Sequence, residues 1–484
     1  MEGTMDKNEF NKIKRRRKRR NKTVQKLIRI GAVALIVLLA VLLIVGAVSL
    51  IKKLFSGKED KEQEAMNQIS IEEQQQQQFD ATIEEAKFLA AQYDYDAAIE
   101  LLKTIEGYEE EAEVTALITE IEAEKATCVP VNIEEVTHIF YHSLVVDPQR
   151  AFANQDSDPQ AVGNNQWMTT IYEFNKITQE MYDRGFVMVS IHDLFNIVTD
   201  ENGNEKIEPA TIMLPPDKKP FVLSLDDLCY YHAYDNYGYA TKLLIDENGD
   251  VMNEYTDADG NTTIGAYDVV PLMDQFVKEH PDASYRGARG IIALTSYNGV
   301  LGYRTDITYD YDNPDCDVHQ KKWMDAHPGF TVENERAEAK KVADAMKANG
   351  WEFATHTWGH IKAGERSLGT LQTDGQKWLD NVVPVVGEVD TIIYAHGQDI
   401  QGRGDYSESN EKYQYLRSIG IRIFCDVDST KYTTYFGPDY MRQGRRNLDG
   451  YRIYKNATGQ QNNVSDLFDA ATIIDPERPP VPEL

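Results

Sequence analysis

Four cysteines in 484 residues are too few for a disulfide-dense secreted scaffold. Basic residues are short as well. The 50 Lys and Arg face 79 Asp and Glu, and a net charge of −29 argues against a general nucleic-acid binder. Long apolar runs are missing everywhere except near the start. What is present still suffices for a sizeable core: 42% of residues are hydrophobic and 10% aromatic, which excludes a mostly disordered chain.

The charge is unevenly placed. Residues 1–29 hold twelve Lys or Arg and three Asp or Glu, so the remainder carries −38. Residues 30–51 follow without a single charge and are rich in Leu, Val, Ile and Ala. As a helix this run is about 33 Å long, enough to cross a hydrocarbon core of about 30 Å. A signal peptide has a shorter apolar core and a small-residue cleavage site, whereas this run continues into Lys52, Lys53 and Leu54. The expectation is an uncleaved, single-pass membrane anchor. The basic block 14–20 keeps the N-terminus in the cytoplasm and places the acidic remainder outside the cell.

Residues 56–126 carry five Lys and twenty Asp or Glu. Apolar residues recur there at helical spacing: Ile83, Ala86, Ala90 and Tyr93, then Ala98, Leu101, Leu102 and Ile105, then Val114, Leu117, Ile118 and Ile121. Gly107 separates the last two helices. The segment 93–103 resembles one helix of a tetratricopeptide repeat, but a repeat array needs about three units to be stable. An acidic helical stalk is expected, with a protein partner of its groove as the rival role. The glutamine run 74–78 reads as a solvated helix face or a joint.

A different texture begins at Cys128-Val-Pro130. Strand-like runs at 136–142, 186–191, 221–225, 290–295, 351–355, 391–394 and 421–425 alternate with helical patterns at 167–184, 333–349, 369–384 and 409–419. That alternation predicts an α/β fold around a mainly parallel sheet, and the strand number favours a barrel. Residues 199–219 and 246–265 interrupt the pattern with Asn-Gly and Asp-Gly turn signals and read as hairpin insertions on the rim. Asp257-Ala-Asp-Gly-Asn261 suggests calcium at first sight, but its Gly is misplaced for the twelve-residue loop, so a plain turn is expected. Residues 445–450 read as a terminal turn and 451–454 as a strand. Four prolines in residues 475–484 make an extended strap or a loose end.

Barrel active sites lie at the C-terminal strand ends. The strand at 221–225 runs into Asp226-Asp227, whose carboxylates point in different directions, so that one can bind a metal and the other act as a base. The strand at 351–355 runs into His356-Thr-Trp-Gly-His360, two histidines at i and i+4 that converge on one side of a helical turn. One Asp and two His leave coordination positions open, as in catalytic zinc-type sites.

These motifs resemble those of the polysaccharide deacetylases (carbohydrate esterase family four, the NodB-homology domain). Ser224-Leu-Asp-Asp-Leu228 is similar to the family's T-F-D-D-G, His356-Thr-Trp-Gly-His360 matches H-[ST]-x-x-H, and Thr137-His-Ile-Phe-Tyr-His142 is similar to its opening strand. The resemblance implies a distorted (β/α)7-type barrel over residues 131–474. It also implies a divalent metal, usually zinc, on Asp227, His356 and His360, and Asp226 as the general base for the attacking water. The substrate implied is an N-acetyl or O-acetyl group of an extracellular polysaccharide such as peptidoglycan. The departures are Leu228 in place of Gly, a third motif reduced to Tyr394-Ala-His-Gly397 without its Arg and Pro, and no histidine after His396 to serve as the acid. Arg403, Arg445 and Arg446 are candidates for the missing Arg, His396 is the substitute acid, and His142 is a substrate contact, with His192 a weaker candidate. Rival readings are a catalytically weak glycan-binding barrel and an envelope assembly protein that docks through the stalk. Cys128, Cys229, Cys316 and Cys425 allow three disulfide pairings, among which the sequence does not choose.

Overall fold

The computed structural model describes residues 60–484 apart from Arg403 and Ser429, with side chains from residue 72 onward. The basic tail and the expected anchor at 30–51 therefore lie outside the described residues. Among the described residues, no helix is long and apolar enough to cross a membrane. The chain divides into two compact units, Met1–Ala81 and Thr82–Leu484. In the first, the described residues are helical, within α1 (Asp60–Ala91), and the glutamine run is exposed along that helix.

In the second unit, α2 (Tyr95–Leu102) and α3 (Ala112–Lys125) pack on each other; of the predicted stripe, Ile83, Ala86, Ala90, Tyr93, Ala98, Leu102, Val114 and Ile121 are buried, and Leu101, Ile105, Leu117 and Ile118 are half-buried. Gly107 turns between them at φ +74°. The bend at Gln92 and Tyr93 is tied to the barrel. The Tyr93 hydroxyl donates to the Asp282 carbonyl at 2.8 Å, and the Arg286 amide donates to the Gln92 carbonyl at 2.7 Å.

Seven parallel strands close into a ring: β1 (Thr137–Tyr141), β2 (Lys219–Asp226), β3 (Ile291–Leu294), β4 (Glu352–Thr355), β5 (Thr391–Ile393), β6 (Ile423–Val427) and β7 (Met441–Asn447). Each strand pairs with the next, and β7 closes on β1 through Arg445 opposite His138. This is the seven-stranded barrel expected, with one exchange of members. The strand at Phe186–Met188 pairs with the first residues of β2, bridges to Ser284 at Met188, and stays outside the ring. The seventh member is β7, whose Met-Arg-Gln-Gly-Arg-Arg-Asn shows no apolar alternation, and its last residues, 445–447, belong to this strand rather than to the expected turn 445–450. Residues 451–454 belong to a helix, Gly450–Ala457, rather than a strand.

The helices form where an apolar stripe meets a cap. Ile171–Asp183 opens with a Thr170–Glu173 capping box and buries Phe174, Ile177 and Met181 at helical spacing. Those residues join outward-facing strand residues such as Ile139, Leu223, Leu225, Ile292 and Phe353 in the main core. The helix at Val269–Glu279, not anticipated from sequence, packs in the same core.

The two insertions are hairpins as expected, but at opposite ends of the barrel. The pair Phe195–Thr199 and Glu205–Pro209 sits by the N-terminal strand ends, where Glu205 meets Arg422 at 2.7 Å. The three strands Ala240–Ile245, Val251–Thr256 and Thr262–Gly265 follow Asp226 at the C-terminal end. Their turns share one construction. In Asp257–Asn261 the Asp257 Oδ1 accepts the amides of Asp259 and Asn261 at 2.9 and 2.8 Å, and Gly260 takes φ +84°. That carboxylate is committed to its own backbone, which bears out the plain turn.

The tail is a strap. Arg478 forks onto Glu173 at 2.6 Å on both arms, and Gln166 donates to the carbonyls of Pro482 and Glu483. All four cysteines are free.

Candidate metal centre

Strand alternation separates the two adjacent carboxylates. Asp226 is the last inward-facing residue of β2, whereas Asp227 takes φ +63° and swings away. The Asp227 amide donates to the Ala293 carbonyl at 3.0 Å, which holds that turn. Leu228 explains the departure from Gly: it is fully buried in the main core, and the left-handed positions fall at Asp227 and Tyr230 instead.

The two motif histidines do not share a helix. They flank a tight turn after β4, with Thr357 at φ +64° and His360 at φ +52°. A β-branched residue in that region is strained by roughly 1–3 kcal/mol and persists only where its surroundings insist on it. Here they do. The carboxylate of Asp374 accepts the amides of Trp358 and Gly359, both at 2.8 Å, and the Thr357 hydroxyl accepts the Ile361 amide at 2.8 Å. No spacing pattern in the sequence pointed to Asp374.

The result is a gathered donor set. One ligand atom each from Asp227, His356 and His360 lies within 4.8 Å of the other two. His356 Nδ1 donates to the Ile393 carbonyl at 2.7 Å, which fixes the tautomer and turns a lone pair on Nε2 into the site. The Tyr231 hydroxyl donates to Asp227 Oδ1 at 2.6 Å and contacts Thr295 Oγ1, leaving Oδ2 free at 3.7 Å from His360 Nε2. Asp227 and His356 are buried and His360 is partly exposed, so the group opens on one side. A borderline divalent ion such as zinc suits one carboxylate and two imidazoles in this arrangement.

Asp226 lies beside the triad, 3.8 Å from His356 Nε2, and is gripped from behind. Arg445, fully buried on β7, donates Nη1 to Oδ1 at 2.7 Å and Nη2 to Oδ2 at 2.9 Å. Burial raises the Asp226 pKa, but Arg445, His356 and His142 outweigh it and hold the carboxyl well below its usual range. Of the candidate arginines, Arg445 takes the place. Arg446 faces outward onto Asp466, and Arg403 lies outside the described residues. Burial, together with His360 and Arg445, keeps the His356 pKa low despite the two carboxylates.

His396 lies in the turn three residues past the end of β5, at φ +57°, exposed and with its ring centroid 4.3 Å from that of His360. Burial, His360 and Lys362 lower its pKa. His142 follows β1 and acts electrostatically on both Asp226 and Asp449. His192 is elsewhere, at the N-terminal strand ends between Glu352 and Asp390.

A closed parallel seven-stranded barrel with a buried Asp-His-His group at its C-terminal mouth defines the class: an α/β barrel able to hold a metal ion in an open site. No family profile and no curated protein matches the chain. Among solved structures, the deacetylase PplD of Streptococcus pyogenes, in complex with acetate, aligns over 66% of this chain and 94% of its own, at 13% identity and a TM-score of 0.32. A likeness at that level carries no weight for the chemistry, which rests on the site itself.

Proposed function

We propose that this protein is a membrane-anchored, metal-dependent deacetylase that removes N-acetyl or O-acetyl groups from an extracellular or cell-wall polysaccharide. The observation that carries the reading is the Arg445 fork on Asp226 beside the Asp227–His356–His360 donor set. An ion held by those three residues would acidify water and polarise an acyl carbonyl. Asp226 accepts the proton of the attacking water, and Arg445 fixes both oxygens of its carboxylate for that transfer. His396, whose ring centroid lies 4.3 Å from that of His360, is the candidate that returns a proton to the leaving group, and His142, after β1, is a candidate substrate contact.

The anchor at 30–51 would place the barrel outside the cell. Protease added to intact cells should then remove the barrel, and protection would overturn the outward placement.

The deciding experiment measures acetate release from N-acetylglucosamine oligomers and cell-wall glycan by the metal-stripped protein before and after zinc is supplied. Release should require zinc and fall by about 10²–10⁴-fold in Asp226→Asn while zinc stoichiometry holds. Stoichiometric zinc bound through His356 and His360, with no release from any acetylated glycan, would point to the glycan-binding barrel instead.

A further inference from the structure

Inward-facing positions of a parallel barrel are ordinarily filled by branched apolar side chains. Behind Asp226 this barrel has a polar chain instead. Three adjacent strands, β7, β1 and β2, contribute Gln443, Arg445, His138 and Ser224, each buried. The contacts are continuous. Gln443 Oε1 lies 3.0 Å from His138 Nδ1, His138 Nε2 lies 2.9 Å from Ser224 Oγ, and Ser224 Oγ lies 3.1 Å from Arg445 Nη1.

Chemistry fixes the direction of every bond in that chain. The amide nitrogen of Gln443 faces two acceptors, the Val136 carbonyl at 3.3 Å and Thr434 Oγ1 at 3.2 Å, so its oxygen faces His138 and must accept. His138 therefore carries its proton on Nδ1, and Nε2 accepts the Ser224 hydroxyl proton. The Ser224 oxygen then takes an N–H from Arg445, which can only donate. Burial and the nearby Arg445 charge keep His138 neutral, as this chain of bonds requires.

We infer that His138 and Ser224 are positioning residues: by accepting from Arg445 through Ser224, they fix the plane of the guanidinium that holds Asp226 for the proposed deacetylation. The restraint matters because the remaining guanidinium nitrogen, Nε, is buried without a hydrogen-bond partner, and the contact of the guanidinium with the Phe140 ring, 4.1 Å from its centroid, sets no hydrogen-bond direction. Without the Ser224 oxygen, only the Asp226 carboxylate itself would orient the fork. The inference rests on the deacetylase reading for its consequence and on hydrogen-bond geometry alone for its existence.

The test compares Ser224→Thr with Ser224→Val in the zinc-loaded full-length protein, two side chains of equal size that differ in the hydroxyl. Ser224→Val should lose kcat by about 10–100-fold relative to Ser224→Thr, the effect of one hydrogen bond to a charged group, with KM and zinc stoichiometry alike in both. Equal kcat in the two variants overturns the inference. Nitrogen-15 spectra of histidine- and arginine-labelled protein supply a readout that needs no turnover. The His138 signal, identified by its loss in His138→Gln, should show the Nδ1–H tautomer and stay untitrated between about pH 5 and 8. The Nη protons of Arg445 should be separately resolved in wild type and Ser224→Thr and averaged in Ser224→Val. An Nε2–H tautomer, or unchanged Arg445 signals in Ser224→Val, overturns the relay whether or not the protein is an enzyme. A wild type that releases no acetate yet shows these spectra would sink the deacetylase reading and leave the relay in place.

Discussion

The two ends of the barrel each gather histidine and carboxylate, and they use them in opposite ways. At the floor, both nitrogens of His192 are taken, by Glu352 at 2.7 Å and Asp390 at 2.8 Å, and the Ser190 hydroxyl also bonds Glu352. An imidazole between two carboxylates donates twice, so it must be charged, and it has no lone pair left for anything else. At the mouth, His356 gives one nitrogen to a backbone carbonyl and keeps the other uncommitted, with carboxylate oxygens at 3.8 Å rather than at bonding distance. The residue types are the same; the difference lies in which lone pairs remain open. The floor is a staple between strands, and the mouth is a donor set that could hold a metal ion.

The largest effect that tests this contrast is loss of the metal. His356→Ala should abolish stoichiometric zinc binding and, with it, acetate release, whereas His192→Gln should leave both unchanged; isothermal titration and the acetate assay read the two. Equal zinc binding by the two variants would erase the distinction. Next in size is Arg445→Lys. It keeps the charge but loses the planar fork, and should lower kcat by roughly 100-fold with zinc still bound. An unchanged kcat would mean that Asp226 needs a counter-charge and not an orientation.

Much of this was legible from the sequence, for a physical reason. Asp226, Asp227, His356 and His360 are consecutive or four apart, at the ends of runs whose β pattern is strong, so a local reading reached them. The first six ring strands were visible in the same way. Arg445 could be named but not chosen, because its partner is 219 positions away and β7 presents polar residues to both faces. A strand whose inward side chains include Gln443 and Arg445 has no hydrophobic alternation to betray it, and the polar barrel interior that hides the strand is also what holds Asp226. Asp374 had no sequence signal because it meets the amides of Trp358 and Gly359 only in the folded barrel, and Tyr231, though four residues from Asp227, belongs to no spacing pattern that marks a ligand.

The smallest expected effect concerns the staple, and its sign follows from which state holds the proton. Burial disfavours a charged His192, but Glu352 and Asp390 more than offset this and raise its pKa well above the usual value. A raised folded-state pKa gives a contribution that is full below the unfolded value of about 6.5 and is lost as pH rises through the folded value. Wild type should therefore exceed His192→Gln in Tm at pH 6, and the gap should narrow as pH rises above neutrality. Neighbouring Asp193, pushed up to about 6 by burial, also feels the His192 charge, so the difference between the two curves reports the histidine together with its effect on Asp193. The gap should also be modest, since the side chain is 34% exposed and solvent screens its ion pairs. Parallel Tm curves across the range would mean that His192 is neutral in the folded protein. The floor would then hold an open lone pair like the mouth, and the contrast between the two ends would fail.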